Sequence, residues 1–242
     1  MNLIIDAGNT QVKLAVFNQT NLVYTETVSY INFVTAALNI HAKWACKKAI
    51  ISSVKNISKL DIEKLKAVFN LIILSNKTQL PFKISYKTPE TLGVDRIALA
   101  SAAFNQYPKQ NVLVIDAGTC ITYDFINAEG VYQGGSISPG LQMRFKALHQ
   151  FTDKLPLLTT SELDNILIGK STTESIIIGV QQGVINEIDS FINSYRKKNK
   201  NLTVVLTGGD TKYLAKRLKN SIFANPIFLF KGLNSILLYN IS

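Results

Sequence analysis

A short phrase occurs twice in this chain, once near its start and once close to its middle. Residues 3–17 form an apolar segment, an Asp-Ala-Gly-Asn-Thr turn and a second apolar segment, and residues 112–126 repeat that order with Asp-Ala-Gly-Thr. Each copy has the pattern of two strands joined by a glycine turn. Asp6 and Asp116 end the first strand of their copies. The repeat predicts two related halves that close on one ligand.

The segments that follow each copy alternate between helical and strand patterns. The first half continues with helices near 31–44 and 57–69 and strands near 49–54 and 71–74, and a helix at 94–106 precedes the second half. The second half continues with helices near 140–150, 173–195 and 211–219, a strand at 204–207, a strand at 222–229 and a final short helix. We therefore predict an α/β fold with lobes at 1–110 and 111–242.

Composition narrows the class of protein. The chain has 242 residues, of which 47% are hydrophobic, so it can bury substantial cores. Its net charge of +10 fits an anionic ligand such as a nucleotide, a nucleic acid, or lysines spread over solvated faces. The two cysteines, Cys46 and Cys120, are typical of reduced thiols in a cytoplasmic protein. We expect no membrane span, no signal peptide and no nucleic-acid partner.

The first turn, Asp6 to Lys13, has the residue types of a phosphate-binding loop. Gly8 lets backbone N–H groups approach an anion, and Asn9 and Thr10 add hydrogen-bonding side chains. Lys13 adds a positive charge. Asp6 repels phosphate, so its expected role is to hold magnesium, usually through water. An ordinary hairpin would explain one copy, whereas two matched copies favour a phosphate site.

Three further segments are candidates for ligand contact. Residues 134–140 are rich in glycine and proline, and residues 207–210 read Thr-Gly-Gly-Asp between a strand and a helix. Each is either a structural turn or a place where backbone meets a ligand. Residues 93–96 read Gly-Val-Asp-Arg at a helix start. There Asp95 either caps the helix or accepts a hydroxyl proton, and Arg96 is either solvated or binds an anionic group.

Taken together and in order, these motifs resemble those of the type III pantothenate kinase family. The matching pieces are Asp-x-Gly-Asn-Thr-x-x-Lys, Gly-Val-Asp-Arg, Asp-Ala-Gly-Thr, Gly-Gly-x-Ile-x-Pro-Gly and Thr-Gly-Gly-Asp, and they span nearly the whole chain. The resemblance implies two ribonuclease-H-like lobes of the actin-like ATPase and sugar kinase fold. It also implies ATP-dependent phosphorylation of pantothenate, the first step of coenzyme A synthesis, in a homodimer.

The resemblance also implies residue roles. The ATP contacts are expected at Thr119 and along the first turn: Asp6, Ala7, Gly8, Asn9, Thr10, Gln11, Val12 and Lys13. The pantothenate contacts are expected at Tyr86, Gly93, Val94, Asp95, Arg96 and Thr172. Asp95 is the expected proton acceptor, and Asp116 is the expected ligand of a monovalent cation, potassium or ammonium. The family usually has Asn or Asp where this chain has Ser171 before Thr172.

Two other functions compete with this interpretation. A non-catalytic transcription accessory factor could use the same fold, and the basic charge favours it slightly, whereas the intact Asp95 and Arg96 favour an enzyme. A kinase or phosphatase of the same superfamily with another acceptor is the second alternative, and the Gly-Val-Asp-Arg and Gly-Gly-Ser-Ile-Ser-Pro-Gly pair argues against it. The chain lacks a Walker-type lysine loop, which argues against a P-loop kinase.

Overall fold

A computed structural model describes residues 1–161 and 166–241. Its contacts divide the chain into two units, one formed by residues 1–109, 128–133 and 227–242, the other by residues 110–127 and 134–226. The first unit thus takes in two segments that lie beyond residue 110, including the last helix. Each unit has its own sheet and its own core.

The first unit contains a five-stranded sheet flanked by helices. The sheet order is β3-β2-β1-β4-β5, with β1 antiparallel to β2 and parallel to β4. The elements are β1 (Asn2–Ala7), β2 (Val12–Asn18), β3 (Asn21–Val28), α1 (Phe33–Trp44), β4 (Lys48–Ser53), α2 (Lys59–Lys66), β5 (Asn70–Ile73), β6 (Lys83–Ile84), a 3₁₀ turn (Pro89–Thr91) and α3 (Val94–Gln106).

Helices cover both faces of this sheet, because its central strands are apolar on both sides. On one face of the sheet, Leu3 and Ile5 of β1 pack in a core with residues of α1. On the other face, α3 and the last helix contact β4. Ile4 and Ile50, whose side chains alternate with those, are fully buried as well. Such continuous burial is typical of a central strand in an α/β sheet.

The second unit repeats the strand arrangement of the first unit: an antiparallel hairpin whose first strand is parallel to a later strand. Its sheet has the order β11-β10-β7-β8-β9, with β7 antiparallel to β8 and parallel to β10. The first residues of β9 belong to the first unit, where they pair with β6. The elements are β7 (Val112–Ala117), β8 (Cys120–Ile126), β9 (Val131–Pro139), α4 (Leu141–Gln150), α5 (Thr172–Lys198), β10 (Thr203–Thr207), α6 (Thr211–Ala215), β11 (Phe223–Ala224) and α7 (Phe228–Asn240), the last in the first unit.

The predicted strand at 222–229 is wrong. The strand ends at Ala224 and α7 begins at Phe228, so the apolar residues 227–230 lie at the start of a buried helix. Pro226 has no N–H to continue a ladder. A short apolar run fits a buried strand and a buried helix equally well, which explains the error. Among the described residues, no helix is both long and apolar enough to cross a membrane.

Close packing of α7 against α3 depends on Gly232. A Cβ atom built there would lie 1.9 Å from the carbonyl oxygen of Ala98, so the two helices would have to separate. We predict that Gly232→Ala lowers the free energy of unfolding by about 2 kcal/mol or more, because an added methyl overpacks a rigid contact. Thermal or urea unfolding measures this change.

Gly183→Ala is the matched control, since Gly183 also lies in a helix but has no atom within 4 Å of an added Cβ. Alanine is the better helix former, so this variant should be about 0.5–1 kcal/mol more stable. Equal stability of the two variants would contradict the assigned packing of α7.

Candidate active site

The first turn connects β1 to β2, and the residues at its tip are exposed. The Gly8 N–H donates to the carbonyl oxygen of Gln11 at 3.1 Å, which closes the turn. Asn9, Thr10 and Gln11 are exposed, while the strands on either side are buried. The predicted hairpin is therefore present, with its polar tip at the surface.

Asp6 lies in a polar row across the sheet, one residue before the turn begins. Lys13 faces it from β2 and Ser52 faces it from β4. Burial raises the pKa of Asp6 to about 6; the Lys13 charge lowers it and the Asp95 charge raises it further. Ser52 is 1% exposed, and its hydroxyl has no hydrogen-bond partner among the described residues. A buried carboxylate that is only partly neutralised favours binding of a cation.

Asp95 lies in the first turn of α3. Its Oδ1 accepts a hydrogen bond from the Arg96 backbone N–H at 2.8 Å, where the positive end of the helix dipole stabilises a carboxylate. A Cβ atom at Gly93 would lie 2.5 Å from the same Oδ1, so glycine leaves the space that the carboxylate occupies. The Asp95 charge also acts on Asp6, which places the two carboxyl groups in the same electrostatic environment.

Arg96 is buried rather than solvated. Its side chain is 5% exposed, and the guanidinium carbon lies 5.8 Å from the ring centroid of Tyr86 and 5.9 Å from that of Tyr132. The two rings lie 6.2 Å apart. Attraction between a cation and aromatic rings restrains the guanidinium beside both tyrosines. The predicted residues Tyr86, Asp95 and Arg96 are thus brought together within the first unit.

In the second unit, Asp116 has the same position in its sheet as Asp6 has in the first. Thr122 faces it from β8 and Thr207 from the parallel strand β10. Thr207 is 2% exposed, like Ser52 beside Asp6. The second turn is closed by a hydrogen bond of 2.9 Å from the Gly118 N–H to the Cys120 carbonyl oxygen, and Thr119 is exposed at its tip.

Glycines bring the other two motifs of this unit against the second turn. The Gly140 N–H donates to the Thr119 carbonyl oxygen at 3.1 Å, and a Cβ at Gly140 would lie 2.1 Å from the Gly118 carbonyl oxygen. Gly208 has a φ of +96°, and a Cβ there would lie 2.4 Å from Oδ1 of Asp116. Side chains at these positions would displace the turn or the Asp116 carboxylate.

Thr172 lies elsewhere in the second unit. It is the first residue of α5, whose N-cap Ser171 accepts a hydrogen bond of 3.2 Å from the Glu174 N–H. With Arg144 and Lys170 it lines a cavity of about 1030 Å³ between α4 and α5, and Asp116 and Thr119 are not among its walls.

Sequence reasoning missed several side chains of these sites. Ser52 and Thr207 occupy equivalent strands, so extending the repeat beyond the two turns would have revealed them. Tyr132 lies 46 residues beyond Tyr86 and reaches it through the pairing of β6 with β9. A strand of two residues leaves no recognisable pattern, so nothing in the sequence predicted that contact.

The residues present fit two cations. Magnesium prefers oxygen ligands, which the Asp6 carboxylate supplies. A cation bound there would offset the negative charges of Asp6 and Asp95. At Asp116, backbone carbonyl oxygens crowd the turn beside the carboxylate, as the close approaches of Gly140 and Gly208 show. Among the described residues, no group of three or more His, Cys, Asp or Glu side chains could hold a metal.

Solved structures show the same architecture. A protein from Campylobacter jejuni described as a Baf family transcriptional activator aligns with a TM-score of 0.63 and 24% identity over 98% of both chains. A ROK family glucokinase from Streptomyces griseus, in complex with glucose and AMPPNP, aligns with a TM-score of 0.54 and 11% identity over 99% of this chain and 98% of its own. These likenesses show that the chain has the actin-like ATPase and sugar kinase fold.

Sequence comparison gives the family. The type III pantothenate kinase from Christiangramia forsetii is 49% identical to this chain over 242 residues and 99% of each sequence. The family model described as type III pantothenate kinase matches residues 2–194. The chain therefore belongs to the type III pantothenate kinase family and is a phosphotransferase.

Because burial raises the pKa of Asp6, we predict that replacing this residue with a neutral one stabilises the folded protein in a pH-dependent way. Its pKa is about 6 in the folded protein and 3.8 in a model peptide, so the folded state loses stability as pH rises between these values. We expect Asp6→Asn to be more stable by about 2 kcal/mol at pH 7.5. The advantage should shrink towards pH 4.

Unfolding curves of both proteins at several pH values measure this difference. Asp153→Asn, which removes an exposed carboxylate, should leave the stability within about 0.5 kcal/mol at every pH. An Asp6→Asn advantage that stays constant from pH 4 to 7.5 would contradict the raised pKa.

Proposed function

We propose that this protein transfers the γ-phosphoryl group of ATP to the primary hydroxyl of pantothenate, which yields 4′-phosphopantothenate in the first step of coenzyme A biosynthesis. Membership of the kinase family supports the reaction. The position of the Asp95 carboxylate supports the assignment of residue roles. Asp95 is fixed at the start of α3, and its charge acts on Asp6 beside the first turn.

Asp95 accepts the proton of the attacking hydroxyl. The new bond forms between the pantothenate oxygen and the γ-phosphorus as the bond to the β-phosphate oxygen breaks, and ADP leaves. Phosphoryl transfer passes through a loose transition state, so the hydroxyl proton leaves late and an ordinary carboxylate suffices as base. Catalysis then depends mainly on positioning, which the hydrogen bond from the Arg96 N–H supplies.

Arg96 and Tyr86 form a rigid wall of the acceptor site. A guanidinium restrained beside two tyrosine rings offers a positive charge for an anionic group of the reactants. Gly93 and Val94 are further acceptor contacts in the same segment, where a side chain at Gly93 would displace the Asp95 carboxylate. Thr172 is a further contact of pantothenate.

The phosphates of ATP contact the first turn, from Asp6 to Lys13, and Thr119 of the second. The exposed polar tip of the turn and the Lys13 charge suit a polyanion. Asp6 would hold magnesium through water, which neutralises phosphate charge, and Asp116 would hold potassium or ammonium, which does the same beside the second turn. The free thiols of Cys46 and Cys120 support a cytoplasmic enzyme.

A homodimer is the proposed assembly, as the family resemblance implies. Exposed apolar side chains lie on and around α4 in the second unit, among them Met143, Phe151 and Leu157. Such surfaces are typical of subunit interfaces. The transcription-factor alternative is not favoured, because the full-length relatives are kinases by name and the acidic and basic residues of Gly-Val-Asp-Arg are all present.

Replacing the proposed base gives a direct test. We predict that Asp95→Asn lowers kcat by at least about 100-fold, because the amide cannot accept the hydroxyl proton, while the Kd for ATP changes less than about threefold. Coupled measurement of ADP release gives kcat, and calorimetry gives the Kd.

Glu90→Gln is a suitable control, since Glu90 is an exposed acid a few residues before α3. It should retain full activity. An Asp95→Asn enzyme with unchanged kcat would remove Asp95 from the mechanism, and an unsubstituted protein that releases no ADP with pantothenate would refute the reaction itself.

The cation assignment predicts a change in potassium dependence. Asp116→Asn should raise the potassium concentration for half-maximal activity by at least about tenfold, because an amide binds a cation more weakly than a carboxylate does. Activity measured against potassium at constant ionic strength tests this prediction. Unchanged potassium dependence would place the cation elsewhere.

A further inference from the structure

A second lysine, Lys55, lies in the segment that follows β4, the strand next to β1. β4 runs parallel to β1, so the carboxyl ends of the two strands lie at one edge of the sheet. The Val54 N–H donates to the Ala7 carbonyl oxygen at 3.2 Å, which extends this pairing past the end of β4. Lys55 comes next in the chain, as Gly8 comes after Ala7.

The backbone of Lys55 is fixed by the side chain of Ser53. The Ser53 hydroxyl accepts a hydrogen bond from the Lys55 N–H at 3.1 Å and donates one to the Lys55 carbonyl oxygen at 2.6 Å. Such a double contact makes a tight turn. Lys55 is therefore held at this edge by its backbone, although its side chain is exposed.

Tyr30 connects Lys55 to the turn. Its hydroxyl donates a hydrogen bond to the Gly8 carbonyl oxygen, and the Lys55 Nζ lies 4.9 Å from the centroid of its ring. Burial raises the pKa of Tyr30, the Ser53 side chain lowers it and the Asp6 charge raises it, with a net increase. The hydroxyl thus stays protonated and keeps donating to Gly8. No carboxylate among the described residues forms an ion pair with Lys55.

We propose that Lys55 is a further phosphate-binding residue of this kinase and that Tyr30 is the positioning residue that holds both Lys55 and the first turn. This inference rests on the proposed function, because it concerns the ATP of that reaction. The Lys55 ammonium on the Tyr30 ring and Lys13 on β2 then supply positive charge from two separate segments of the chain. A cation held against an aromatic face loses little further freedom when it binds an anion.

The test compares ATP with AMP on the full chain. Lys55→Met should weaken ATP binding about five- to tenfold and AMP binding less than twofold, since AMP lacks the β- and γ-phosphates. Lys55→Arg should bind ATP within about twofold of the unsubstituted protein. Calorimetry at low and high salt measures these values, and the ATP effect should decrease at high salt.

Lys48→Met is the matched control, because it removes the same charge from the other end of β4. It should leave ATP binding unchanged. Tyr30→Phe keeps the ring but loses the hydrogen bond to Gly8, and should weaken ATP binding about threefold without changing the KM for pantothenate.

Three outcomes would overturn the proposal. If Lys55→Met lost thermal stability but bound ATP normally, Lys55 would have only a structural role, packing on the Tyr30 ring. Lys48→Met could weaken ATP binding equally, which would reduce the effect to net charge. An unsubstituted protein that binds no ATP would overturn this inference and the proposed function together, whereas ATP binding without transfer to pantothenate would overturn the function alone.

Discussion

The parallel pairing of β1 with β4 is the constraint on which the first unit's site depends. It brings the polar ends of both strands to one edge, so Asp6 faces Ser52 and the first turn lies beside the segment that follows β4. Ligands of α/β proteins bind at this edge of their sheets. The cost is electrostatic, because the pKa of Asp6 rises to about 6 where the strand end is buried. The proposed cation at Asp6 would offset this electrostatic cost.

In the second unit, close backbone contact has the equivalent role. Gly140 and Gly208 let two other segments press against the turn that follows Asp116, at distances where a Cβ would overlap a carbonyl or carboxylate oxygen. Glycine contributes no side chain to these contacts, so the backbone of two other segments holds the turn. A site built in this way is rigid, and rigidity is what positioning of phosphates demands.

Much of the fold could be predicted from periodicity and turns. The hairpins after Asp6 and Asp116 and the helix at 94–106 are found where the sequence indicates them. The boundary between β11 and α7 could not be predicted, because residues 227–230 are apolar in either structure. The geometry of the site was predictable only in part. The two tyrosine rings around Arg96 and the bond from Tyr30 to Gly8 depend on tertiary contacts between distant positions, which leave no local pattern.

The position of α7 has a consequence for biosynthesis. This helix packs on α3, and Asn234 within it accepts a hydrogen bond of 2.9 Å from Asn2 on β1, so the first unit contains both early and late residues. A ribosome adds about 5–20 residues per second, and domains usually fold as they emerge. Here the second unit leaves the ribosome complete before the first one does. The sheet of the first unit therefore lacks α7 until the end of synthesis. During that period its uncovered apolar face is a binding site for chaperones.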